Sequence, residues 1–196
     1  MFDDQNGLMT KLTESDGAIL RFDNSLTTTY DYDSLDRVIR VTDAIGNYME
    51  TIYDGNGKIY QIKGYYKKPD ATYDIRTIVT RAYDAADRLV SETDIYGKVT
   101  TYGYDESGNL ISVNDPNGHI SKYEYDAMNR RTAVIDGNGF RTETIYDLAG
   151  HPVQNINPLG KIISTAYDAL GRPTTLTDAL EYQTSFAYDA NGNVSK

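Results

Sequence analysis

Apolar and polar residues alternate in short runs along most of this chain, and clusters of Asp, Asn and Gly cut the runs at regular intervals. One complete period reads TTYGYDESGNLISVNDPNGHISKYEYD, from Thr100 to Asp126. Segments such as 98–104 and 110–114 are rich in Tyr, Thr, Val and Ile, the residues that fit a pleated, half-buried surface. Alternation puts residues i and i+2 on one face of a strand. Tyr102 and Tyr104 therefore share a face, as do Tyr123 and Tyr125, while Gly103 and Glu124 point to the other side.

The period is set by Tyr-Asp pairs: Tyr32-Asp33, Tyr53-Asp54, Tyr83-Asp84, Tyr104-Asp105, Tyr125-Asp126, Tyr146-Asp147, Tyr167-Asp168 and Tyr188-Asp189. Successive pairs are 21 residues apart, except for one interval of 30 between Tyr53 and Tyr83. A fixed repeat of this length signals a repeat architecture. Each period holds two turns. The first starts at the Asp of the pair and ends three residues on at Gly57, Gly108, Gly150, Gly171 or Gly192. Where Gly is missing, Asp36, Asp87 or Asn129 fills that slot, and these residue types tolerate positive φ best after glycine. The second turn, about ten residues later, ends at Gly46, Gly97, Gly118, Gly139 or Gly160. Pro116 and Pro158 stand second in their turns, where a fixed φ near −65° is wanted. The Asp178–Glu181 turn lacks its Gly and is expected to be looser.

Turns this short force neighbouring strands to run antiparallel. The predicted fold is all-β: an antiparallel β-meander of consecutive hairpins with a 21-residue repeat, roughly sixteen strands, more than open sheets usually hold without curling. An open, curved sheet is expected. Residues 1–29 do not keep the register, although Phe2-Asp3, Gly7-Leu8 and Asp16-Gly17 resemble a worn repeat. Residues 30–196 form the regular array. It is interrupted once, at 64–76, where thirteen residues replace a four-residue turn and the pair Tyr73-Asp74 is out of phase. This insertion reads as a surface loop, either a tolerated lengthening or a place to graft a specific contact.

Composition narrows the function. The chain has 18 Tyr, four Phe and no Trp among 196 residues, which describes a Tyr-faced sheet with modest burial per strand. Its net charge of −10 argues against nucleic acid, since phosphate binding needs clustered Lys and Arg. Much of that charge is turn Asp. There is no Cys, hence no disulfide framework, zinc thiolate site or Cys nucleophile. No run of residues has the length and apolarity of a membrane span, and residues 1–16 lack the basic start and apolar run of a signal peptide.

Candidate chemistry is sparse. His119 and His151 fall in different turn types, at opposite rims, and a catalytic pair would have to converge. No Gly-x-Ser-x-Gly elbow surrounds any Ser. The Asp54–Gly57 and Asp136–Gly139 runs superficially suggest calcium loops but lack the later bidentate Glu, and turn chemistry accounts for them. No catalytic residue, cofactor or metal site is expected. The Tyr row through Tyr104, Tyr125, Tyr146 and Tyr167 has two readings: an exposed row that stacks sugars, or rings packed against neighbouring strands.

The Tyr-Asp pairs, the Gly171-Arg172 and Gly192-Asn193 pairs that follow them, and the intervening Asp-x-x-Gly turns resemble the RHS or YD repeats of bacterial RHS proteins, insect-pathogen toxin complexes and teneurins. The resemblance covers about 165 of the 196 residues. It implies a β-ribbon spiralling into a hollow shell that, in bacterial members, encloses a toxic C-terminal domain, and a secreted or cell-surface location. The family's self-cleaving region and toxin domain have no counterpart here. The expected partners are further repeats and an enclosed polypeptide, with surface glycans or a protein bound by the Tyr face or by 64–76 as the alternative.

Overall fold

The computed structural model describes residues 2–3, 9–10, 18–23 and 26–195, with side chains from residue 27 onward. Among the described residues there is no helix. The chain forms two compact units, Met1–Thr101 and Tyr102–Lys196.

In the first unit, β1 (Phe2–Asp3) and β2 (Met9–Thr10) form a two-stranded sheet. Next come β3 (Ala18–Asp23), β4 (Leu26–Tyr32), β5 (Val38–Thr42), β6 (Tyr48–Tyr53), β7 (Ile59–Lys67), β8 (Tyr73–Tyr83) and β9 (Leu89–Asp94), each antiparallel to the one before. β10 (Val99–Tyr104) pairs with β9 through Val99–Thr101. The second unit continues with β11 (Leu110–Asn114), β12 (Ile120–Tyr125), β13 (Arg131–Ile135), β14 (Arg141–Tyr146), β15 (Pro152–Ile156), β16 (Ile162–Tyr167), β17 (Pro173–Thr177) and β18 (Gln183–Ser185), again each paired antiparallel with the next. Strand order is sequence order, so the fold is an antiparallel β-meander.

Six of the Tyr-Asp tyrosines end their strands at a bulge. Tyr32 pairs with Val38 while Asp31 pairs with Arg40, which leaves Ile39 as the extra residue. The same shift precedes Tyr53, Tyr83, Tyr125, Tyr146 and Tyr167. A bulge bends its strand and raises the local twist, so the same built-in irregularity recurs at the Tyr end of these strands.

Burial is shallow. Ala133, at 2% exposure, is the one buried hydrophobic side chain among the described residues. Among the described residues side chains are mostly half-covered by their neighbours along and across strands, and cross-strand pairs become the unit of stabilisation.

Three expectations change. The insertion at 64–76 is not a loop: Gly64–Lys67 continues β7, Tyr73–Arg76 continues β8, and Gly64 pairs with Arg76. Alternating side chains let the inserted residues keep pairing, so the turn shrinks to Lys68–Thr72, with Ala71 at φ +65°. The Asp178 turn is as tight as the others, because Glu181 adopts φ +69° and its N–H bonds Asp178 O at 3.0 Å. The 29/30 boundary falls inside β4. Gly7-Leu8 and Asp16-Gly17 lie outside the described residues.

Candidate functional site: the joint between repeats

The first-type turns carry the most developed side-chain chemistry of the molecule, and it starts from one aspartate. In the turn at Asp168, Oδ1 accepts the backbone N–H groups of Leu170 (2.9 Å) and Arg172 (3.0 Å). The Gly171 N–H closes onto Asp168 O at 2.9 Å. The turns at Asp33, Asp54, Asp84, Asp126 and Asp189 show the same Oδ1 pair. Second-type turns use it as well: Asp43, Asp94, Asp115 and Asp136 hold the N–H groups two and four residues ahead, and so does Asn157. The ten turn glycines named from the sequence have φ between +71° and +94°, and Asp36, Asp87 and Asn129 sit at +58° to +61° in the equivalent slot.

The second carboxylate oxygen serves another purpose. Asp33, Asp84, Asp126 and Asp168 pair through Oδ2 with the Arg four residues on, at 2.6–2.8 Å. That Arg then lies over the Tyr of the following repeat: Arg37 over Tyr53 at 4.2 Å, Arg130 over Tyr146 at 4.6 Å and Arg172 over Tyr188 at 4.4 Å. Arg130 Nη1 also donates to Asp147 O at 3.2 Å. In the turn at Asp147 the position is held by His151, whose Nδ1 lies 3.0 Å from Asp147 Oδ2 and whose ring stacks on Tyr167 at 4.7 Å. A Cβ on Gly171 would come within 2.7 Å of the His151 ring and push the imidazole aside, and the φ of +76° at this position favours glycine independently.

The Tyr completes the joint from the other side. Its hydroxyl donates to the carbonyl of the first residue of a strand 15 residues back: Tyr53 to Val38, Tyr125 to Leu110, Tyr146 to Arg131, Tyr167 to Pro152 and Tyr188 to Pro173, at 2.7–3.1 Å. Tyr83 makes the bond to Ile59, 24 residues back, because the longer hairpin intervenes. At Asp33, Asp126, Asp147 and Asp168 the joint therefore ties three features together: the Asp that sets the turn, the Arg or His that leaves it, and the Tyr that caps the next strand pair. Where the fourth residue is Asn, amides take over. Asn109 Nδ2 bridges Asp105 Oδ2 (2.9 Å) and Asn129 Oδ1 (2.7 Å).

These contacts hold the carboxyls in their charged form. The hydrogen bond from Arg37 holds Asp33 below the usual carboxylate range, and Arg88 does the same for Asp84. Asn109 acts on Asp105, and the Arg172 N–H followed by its guanidinium acts on Asp168.

The rings of Tyr53, Tyr146, Tyr167 and Tyr188 thus pack against neighbouring turns, with a guanidinium or imidazole on one face. His119 and His151 are each held by the aspartate of their own turn, Asp115 and Asp147. His119 borders a shallow, open depression of about 260 Å³, lined also by Val113, Asp115, Ser121, Gly137 and Asn138. Among the described residues, no three His, Asp or Glu side chains gather as a metal-binding group. Sequence reading noted the Gly-Arg and Gly-Asn pairs but missed that the cation reaches the next repeat; its signal was the recurrence of Arg four residues after Asp at Arg37, Arg88, Arg130 and Arg172.

A meander in which the same Tyr-Asp turn recurs, and in which Arg37, Arg130, His151 and Arg172 each reach from one turn to the Tyr of the next, defines a β-repeat protein. The model of the RHS Repeat matches residues 83–120, 104–142, 146–181 and 167–196, more than half of the chain, and the chain belongs to that family. No curated protein matches it. Among solved structures, a crystal structure of TcdB2-TccC3-Cdc42 superposes with TM-score 0.69 at 17% identity, over 89% of this chain and 10% of that one. A crystal structure of TcdB2-TccC3-TEV gives TM-score 0.67 at 17% identity, over 88% and 10%. The Photorhabdus luminescens Tc holotoxin pore with a TccC3 mutation gives 0.65 at 17% identity, over 86% and 10%. The likeness is one of fold, and the chain spans about a tenth of the length of each of these chains.

Proposed function

We propose that this chain is a structural wall segment of a secreted or cell-surface RHS-type protein, whose assembled repeats enclose a polypeptide supplied by the same or a longer protein. The supporting observation is the joint: the best-ordered chemistry of the molecule links one repeat to the next. The described side chains form no converged set of nucleophile, base and metal, and the segment acts as scaffold without turnover of its own. Tyr53, Tyr146, Tyr167 and Tyr188, each with one face under an Arg or His side chain, offer less surface for stacking sugars, which favours the wall reading over the glycan-binding one.

The test uses the full protein encoded around these repeats. Limited proteolysis of the intact assembly is expected to spare a polypeptide that is digested quickly once the assembly is unfolded. Deleting one 21-residue period in frame, from Tyr146 to Ala166, is expected to remove that protection. Equal digestion rates in the folded and unfolded protein would overturn enclosure. Turnover in a hydrolase or lyase screen that is lost on replacing His119 or His151 would overturn the structural reading.

A further inference from the structure

The β7–β8 hairpin is longer than its neighbours, and the excess leaves one strand edge open. β9 pairs with β8 only from Val79, opposite Asp94, to Tyr83. The next turn, Asp94–Gly97, closes there. β8 continues beyond that point, and Tyr73–Thr77 pair with Lys67–Lys63 of β7 on one side alone. The opposite flank of the hairpin is sealed. Tyr48 pairs with Tyr65, and the Lys67 N–H donates to Asn47 Oδ1 at 2.9 Å.

The base of this projection is firmly built. Tyr48 stacks on Tyr65 at 4.3 Å, and Tyr73 meets both rings edge-on at 5.2 and 6.3 Å. The Tyr65 hydroxyl bonds Glu50, which pushes it up to about 12. Glu50 in turn pairs with Arg40 at 2.6 Å. The open edge is therefore held in extended form before anything adds to it. Beside it lie two exposed apolar side chains, Ile75 (58%) and Tyr96 (83%), the latter at the apex of the neighbouring turn. The projection is also a positive island in a chain of net charge −10, with Lys63, Lys67, Lys68 and Arg76 against Asp70 and Asp74. Asp70 is engaged by Thr72, and Asp74 by Arg76, while Lys67 and Lys68 are exposed near the tip.

We propose that the outer edge of β8, from Tyr73 to Thr77, is a strand-addition site for an extended acidic polypeptide. Five residues offer about 17 Å of unpaired ladder. Backbone hydrogen bonds supply attraction without reading sequence, alternate side chains contact Ile75 and Tyr96, and the lysines select negative charge. The site is independent of whether the repeats enclose anything.

The test is a capped hexapeptide alternating Val and Glu, added to the intact chain and followed by amide hydrogen exchange and titration calorimetry. Exchange at Tyr73–Thr77 is expected to slow several-fold, with binding that weakens as salt rises. N-methylation of alternate peptide bonds is expected to cost about tenfold or more in affinity, since it removes the backbone donors that would pair with the edge. Lys67→Glu with Lys68→Glu, changes of exposed side chains that leave the backbone pairing in place, are expected to reverse the preference in favour of a Val/Lys peptide. Unchanged exchange at the edge, equal binding of the N-methylated peptide, no reversal by the double variant, or protection confined to another strand would each overturn the site.

Discussion

At the scale of the residue, the decisive positions are those where backbone conformation and side-chain chemistry meet in a turn. Glu181 holds φ +69° where ten other turns place Gly, at the cost a Cβ imposes in the left-handed region. Glu181→Gly is expected to raise the stability of the second unit by about 1 kcal/mol, read as an upward shift of its denaturant midpoint. Gly108, at φ +88°, gives the converse. Gly108→Val is expected to cost about 1 kcal/mol more than Gly108→Asn, because Asn visits this region more readily; equal melting temperatures for the two variants would refute it. The turn carboxylates are depressed below their ordinary value, so their stabilising contribution is present above the unfolded-chain value of about 3.9 and lost as pH falls through the lower folded value. The melting temperature should hold level from pH 8 to about 5 and fall below about pH 4. Asp168→Asn keeps the turn, as Asn157 does, and should flatten part of that acid slope. Because Oδ1 and Oδ2 of these residues are already engaged, calcium up to about millimolar should shift melting little.

At the scale of the element, a hairpin here is not self-sufficient, since an isolated two-stranded ribbon is marginal in water. The joint supplies what a core supplies elsewhere. Arg130 is ion-paired to Asp126, lies over Tyr146 and bonds the Asp147 carbonyl, so it crosses from one turn to the next. A double-mutant cycle with Arg130→Met and Tyr146→Leu is expected to show coupling of about 0.5–1 kcal/mol in urea unfolding, the range for a partly exposed cation–π pair. Additive costs would mean that the guanidinium merely covers the ring. The opposite face has its own ties: Arg141 grips both oxygens of Glu124 at 2.6 and 2.8 Å and also pairs with Glu143, linking β12 to β14 across the strand between them.

At the scale of the whole molecule, repetition sets both the strength and the exposure of the fold. Among the described residues, β3 has β4 as its strand partner and β18 has β17, so each presents an unpaired ladder on its other side. Such edges recruit strands, and repeat arrays are solubilised by capping units. The chain on its own is expected to associate with concentration, by light scattering, and to become monodisperse when flanking repeats are joined to it. A monomer that resists concentration would show that these edges are protected.

The sequence by itself determined the period, the strand order and the turn conformations, because each is local: an Asp that holds N–H groups two and four residues ahead, a residue with positive φ, and alternation too short for any other pairing. Even the non-glycine turn positions Asp36, Asp87 and Asn129 were legible, since they are the residue types that tolerate the left-handed region. What followed 64–76 was not. Whether the thirteen residues 64–76, which stand in place of a four-residue turn, form a loop or lengthen two strands depends on pairing between Gly64 and Arg76 across the hairpin, a contact that alternation permits but does not require. The reach of Arg37, Arg130 and Arg172 over a Tyr sixteen residues further on was likewise hidden, because only the folded meander brings one turn beside the next. Turn chemistry acts over four residues and can be read along the chain, whereas the joints and the open edge exist only once strands distant in sequence lie side by side.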